Sequence, residues 1–91
     1  MAGFQIRKSH SMGRERLREA ARGLARELEE AHGVRAHWEG DSVRIRGSGV
    51  DGKLTLGEDD LLVSVELGLL ASAFKGALQS EVQRFLDEYV T

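Results

Sequence analysis

Residues 37–68 read HWEGDSVRIRGSGVDGKLTLGEDDLLVSVELG, and the alternation inside this run decides the fold. Val43 and Ile45 alternate with Arg44 and Arg46, and Leu54 and Leu56 with Lys53 and Thr55. Leu61, Val63, Val65 and Leu67 alternate in the same way with Leu62, Ser64 and Glu66. A period of two places one set of side chains on each face of a strand, so the run predicts consecutive strands of an antiparallel sheet. Turns are expected at Gly40-Asp41, across Gly47 to Gly52 and across Gly57 to Asp60. Just upstream, Val34, Ala36 and Trp38 alternate with Arg35, His37 and Glu39 and supply the strand that enters the first hairpin.

Working outward, Phe4 and Ile6 alternate with Gln5 and Arg7 in a first strand that ends at Lys8, Ser9 and His10. Ser11 is placed to N-cap a following helix. From Gly13 to His32, Leu17, Ala21, Leu24, Leu28 and Ala31 recur at spacings of four and three, one narrow face of an amphipathic helix that Gly33 terminates. Arg14, Arg18, Arg22 and Arg26 form a row on its other side, with Glu15, Glu19 and Glu30 positioned to compensate them along the helix, which reads as a solvated face. Beyond Gly68, the apolar positions Leu70, Ala73, Phe74, Ala77, Leu78, Val82, Phe85, Leu86 and Tyr89 predict a helix from Leu69 to about Val90. Its apolar face is wider than a sheet needs. The order is β-α-β-β-β-β-α, a single α+β domain over residues 1–91 with a five-stranded antiparallel sheet and both helices on one face. The expected core is Phe4, Ile6, Leu17, Leu24, Leu28, Trp38, Val43, Ile45, Leu54, Leu56, Val63, Val65, Leu67, Phe74, Leu78, Val82 and Phe85.

Composition narrows the function classes. With 41% hydrophobic and 31% charged residues the chain is an ordinary globular domain. It has no cysteine, which removes disulfides, thiolate metal sites and cysteine nucleophiles together. No apolar run approaches the roughly 20 residues of a spanning helix and the N-terminus lacks a leader pattern, so a cytoplasmic protein is expected. The net charge of −2 is unevenly divided. Residues 1–50 hold ten Lys/Arg against seven Asp/Glu, and residues 51–91 three against eight.

Candidate sites are few. Gly47 to Gly52 is a literal G-x-G-x-x-G, but Lys53 to Leu56 alternates as a strand, so no helix N-terminus follows to hold a pyrophosphate, and the glycines read as turn chemistry. His10, His32 and His37 lack metal-ligand spacing with Glu58, Asp59 or Asp60, and no serine sits in a nucleophile turn. No catalytic, metal or cofactor residue is assigned, and an enzyme is not expected. The polar face of the sheet gathers Arg7, Arg35, His37, Arg44, Arg46 and Lys53 against Glu39 and Glu66, a candidate face for an anion or a partner. Trp38 and Phe4 point to the other face, so base stacking is not supplied and nucleic acid is the lesser reading of these residues. Glu81 interrupts the apolar side of the last helix, where either a local polar network with the Trp38 indole or with His10 satisfies it or the rotation of the helix carries it to the flank and into water.

The chain resembles a known family in the following residues. They are Ser9-His10 before the first helix, Ala21-Arg22 within it, Gly33, Trp38-Glu39-Gly40-Asp41, Gly49-Val50-Asp51-Gly52, Val65-Glu66-Leu67-Gly68, Leu69-Leu70, Lys75-Gly76, Glu81-Val82 and Leu86-Asp87. In order and spacing these are similar to the small polyhydroxyalkanoic acid system proteins. Ala77 departs from the resemblance, where many relatives would carry proline. The resemblance implies a bacterial cytoplasmic protein of polyhydroxyalkanoate (PHA) metabolism, granule-associated or regulatory, and brings no catalytic residues with it. The expected function is a non-enzymatic accessory role, binding a protein partner or the granule surface, with a homodimer as a further option. The alternatives are an apolar acyl ligand held between sheet and last helix, or nucleic acid on the basic sheet face. The element order is also that of TATA-binding-protein-like and helix-grip folds, whose sheets are curved, an analogy of architecture that implies no activity.

Overall fold

The computed structural model describes residues 2–91. Its elements are β1 (Ala2–Ser9), α1 (Arg14–His32), β2 (Arg35–Glu39), β3 (Ser42–Gly47), β4 (Val50–Leu56), β5 (Asp60–Leu67), a 3-10 turn (Ala71–Phe74) and α2 (Lys75–Tyr89). The strands form one open antiparallel sheet in the order β1-β5-β4-β3-β2. β2 to β5 lie beside one another in chain order, as tight turns dictate, and β5 closes against β1. α1 therefore carries the chain from one edge of the sheet to the other.

The turns are tighter than the glycine spacing suggests. Gly40 has φ +61° ahead of Asp41, the pattern of a II′ hairpin turn. Ser48 (φ +53°) and Gly49 (φ +79°) are both left-handed, as a two-residue I′ turn requires, and Ser48 is the non-glycine residue with positive φ among those described. Such a turn lets pairing start at once, Gly47 with Val50 and Ile45 with Gly52. β4 thus begins at Val50, three residues before the expected start at Lys53, and Gly52 belongs to a strand.

Register stacks the core in rows across the sheet. Trp38, Val43, Leu54, Val63 and Ile6 form one row, and Ala36, Ile45, Gly52, Val65 and Phe4 the next. α1 lays Leu17, Ala21, Leu24, Ala25 and Leu28 on this face, and α2 adds Leu78, Val82 and Leu86. Each fully buried leucine or valine contributes about 1.5–3 kcal/mol. Most of the expected core is buried, with Trp38, Leu56 and Phe85 packed at its margin. Val34, Leu61, Ala71, Leu86 and Val90 also join it. Phe74 does not, because the segment before Lys75 is a 3-10 turn and the backbone breaks at Phe74 (φ −97°, ψ 7°).

The ends of the elements correct two further expectations. Ser11 does not cap α1. Gly13 takes the N-cap position without a side-chain hydrogen bond, and the Ser11 hydroxyl points to the Thr91 carbonyl at 3.5 Å. The arginine row of α1 also does more than face water. Arg14 and Arg18 reach Asp41 in the β2-β3 turn at 3.3 and 3.4 Å, and the Arg18 and Arg22 guanidiniums lie 4.9 and 5.9 Å from the centre of the Trp38 ring. This row straps the helix to the first hairpin. Gly33 ends α1 as expected, left-handed at φ +68° with its N–H on the Glu29 carbonyl. Lys8, on the helix side of β1, meets Asp87 of α2 at 3.0 Å. The Lys8 ammonium, with the Gln83 amide, holds the Asp87 carboxyl below the ordinary carboxylate range.

Between sheet and helices lies a small apolar cavity of about 20 Å³ bordered by Ile45, Gly52, Leu54, Val65, Leu78 and Val82. That is room for about one water. A Cβ on Gly52 would meet the Ser64 carbonyl oxygen at 3.4 Å, Val65 Cγ2 at 3.5 Å and Ile45 Cβ at 3.8 Å, close but acceptable van der Waals contacts, and Gly52 is not in the left-handed region. Gly52→Ala is therefore expected to stabilise the protein by about 0.5–1 kcal/mol, through a less flexible unfolded chain and a better-filled core. Urea denaturation measures it, and a loss of stability would show that the strands cannot accept the methyl group.

Candidate functional site

All six residues of the basic set lie on the sheet face turned away from the helices, where alternate positions are exposed. Register brings five of them together. Lys53 lies directly opposite Arg44, which lies opposite His37, and in the next row Arg46 lies opposite Arg35. Arg7 is separated from them on edge strand β1, ion-paired with Asp60 at 3.4 Å. Asp51 also faces this side, opposite Arg46 and 3.7 Å from it. Residue alternation missed Asp51 because β4 was expected to start at Lys53.

The structure takes apart the polar network expected around Glu81. Trp38 lies beneath Arg18 and Arg22. His10 is buried, 7% exposed, and closes the β4-β5 turn: its Nε2–H donates to the Gly57 carbonyl (3.0 Å) while Nδ1 accepts the Met12 N–H (3.3 Å). Glu81 instead accepts a hydrogen bond from His32 Nε2 at 3.1 Å, linking the last residue of α1 to the middle of α2. Both side chains are about 30% exposed, and Glu81 Oε2 is buried without a hydrogen-bond partner. Forty-nine residues separate the pair, so no local spacing announces it.

His32 also borders the principal apolar feature of the surface. Leu69 is 84% exposed, Leu70 90% and Phe74 64%, all at the junction of β5 and α2. Beside them runs an open groove of about 460 Å³ walled by Val50, Leu67, Leu70, Phe74 and Leu78, with His32 and Ser48 at its rim. The junction is held in place from beneath: the Gly68 N–H donates to the Gly49 carbonyl at 2.8 Å, tying the launch of the apolar segment to the β3-β4 turn. Part of the surplus apolar width expected of the last helix is thus a real surface, displaced to the turn that precedes α2.

If His32 and Glu81 form the working polar pair, a double-mutant cycle of His32→Ala and Glu81→Ala in urea should give a coupling of about 1 kcal/mol. Glu81→Ala combined with Trp38→Phe should be additive within about 0.5 kcal/mol.

Among the described residues no group of three or more His, Asp or Glu side chains is arranged to hold a metal ion. No described helix is long and apolar enough to cross a membrane. No curated protein and no solved structure gave a match to the chain. The sequence pattern of one protein family does match it, and the match runs from residue 4 to residue 90. Nearly every element described above falls inside that span, and the chain belongs to the family of polyhydroxyalkanoic acid system proteins.

Proposed function

We propose that this protein is a non-enzymatic accessory factor of polyhydroxyalkanoate metabolism that docks on the hydrophobic granule surface in the bacterial cytoplasm. One observation carries the reading: Leu69, Leu70 and Phe74 stand exposed within six residues, on a chain whose family ties it to the polyester system. A polyester surface offers such side chains an apolar contact without a shaped pocket. Withdrawing three large apolar side chains from water is worth about 4–7 kcal/mol gross. That is the scale of a single acyl anchor, which holds a protein reversibly. A protein already seated on the granule could use the same side chains.

An acyl ligand held between sheet and helix is less well supported, since the cavity there measures only about 20 Å³. Ligand pockets usually measure some 300–1,000 Å³.

Co-sedimentation with purified granules tests the proposal. The wild-type protein is expected in the pellet, and a variant combining Leu69→Ser, Leu70→Ser and Phe74→Ser in the supernatant with an unchanged melting temperature, because these side chains support no core. Wild-type protein left wholly in the supernatant would sink the granule-surface reading.

A further inference from the structure

We propose that the solvent-facing side of the sheet binds the phosphodiester backbone of nucleic acid through Arg35, Arg44, Arg46 and Lys53, with His37 beside them. The register gives the first reason. Lys53, Arg44 and His37 sit directly opposite one another on three adjacent strands, and Arg46 faces Arg35 in the next row. Neighbouring strands are about 4.8 Å apart and same-face rows about 7 Å apart, so four permanent cations share a patch about 10 Å by 7 Å. Like charges directly opposite in a sheet are destabilising.

Several arginines outside the patch have partners. Arg7 has Asp60, Arg14 and Arg18 have Asp41, and Arg18 and Arg22 lie over Trp38. Within the patch the ion pair is Arg46 with Asp51, at 3.7 Å. Arg44, at the centre, is half-buried, and its Nε is shielded from water without a hydrogen-bond partner. Repulsion in register around an unmet donor is a condition that a bound anion relieves.

Three of the four cations are arginines, whose forked donors match phosphate oxygens two at a time. The two rows give adjacent stations for successive phosphates, each between a pair of cations. The surrounding positions on this face include Gln5, Ser42, Thr55, Leu62 and Ser64, which offer no ring for a base to stack on, and two carboxylates that bound the patch, Glu39 opposite Ser42 and Glu66 opposite Asp51. Recognition is therefore of the backbone and independent of sequence, and it needs none of the aromatic residues that base-reading sheets display. The inference does not depend on contact with the granule.

Fluorescence anisotropy with the full chain and a labelled oligonucleotide of about 20 nucleotides, single-stranded and as a duplex, provides the test. Binding is expected in the 10⁻⁴ to 10⁻⁶ M range typical of non-specific association, with a slope of log K against log salt of about −2 to −4 for three or four phosphates. Arg44→Gln with Lys53→Gln should weaken binding at least tenfold at low salt without lowering the melting temperature. Arg26→Gln, on α1, should leave it unchanged. Three results would each overturn the proposal: no salt-dependent binding, equal loss in the Arg26 variant, or polyglutamate of matched charge binding as tightly as the oligonucleotides. The last would reassign the patch to an acidic protein segment.

Discussion

A chain of this length has enough apolar residues to cover one face of a five-stranded sheet, and every other feature follows from that constraint. Because the side-chain period of a strand is two, the row Trp38, Val43, Leu54, Val63 and Ile6 can be buried only if the intervening residues are given to solvent. A slip of one residue between β3 and β4 would drive Lys53 and Thr55 into the helices and expose Leu54. The I′ turn at Ser48-Gly49 excludes that slip by fixing the register of β3 against β4, and the II′ turn at Gly40-Asp41 does the same for β2 against β3.

One-sided burial leaves two different surfaces. The open face of the sheet carries the arginines and lysine of β2, β3 and β4. The margin where β5 gives way to α2 carries Leu69, Leu70 and Phe74, which no part of the fold uses. Edge strands need their own protection, and β2 has it. The Glu29 carboxylate of α1 accepts the Ala36 N–H at 3.1 Å and so occupies a main-chain group that an incoming strand would need. The arginine strap onto Trp38 and Asp41 secures the same corner.

The architecture was legible because it is written in alternation. Val43, Ile45, Val63, Val65 and Leu67 fall where a period of two puts them, and Leu17, Leu24 and Leu28 where a helix does. What escaped was set by tertiary geometry. Phe74 fits a helical stripe with Leu78 and Val82, and only the break before Lys75 turns it outward. The meeting of His32 with Glu81 depends on how two helices cross the same sheet. The basic face was readable as a set of residues. That its members lie opposite one another, and that Asp51 belongs among them, required the register.

The hydrogen bond from the Gly68 amide to the Gly49 carbonyl bears on how the apolar segment meets a partner. Its backbone is already committed, since Gly68 is pinned to a hairpin turn at one end and Ser72 and Lys75 continue into helical bonds at the other. A flexible loop presenting the same three side chains would surrender about 1–2 kcal/mol of conformational freedom per residue on docking. Here that loss was met during folding, so contact surface at this junction converts into affinity with little entropic penalty. The junction also opens only as readily as the hairpin that holds it.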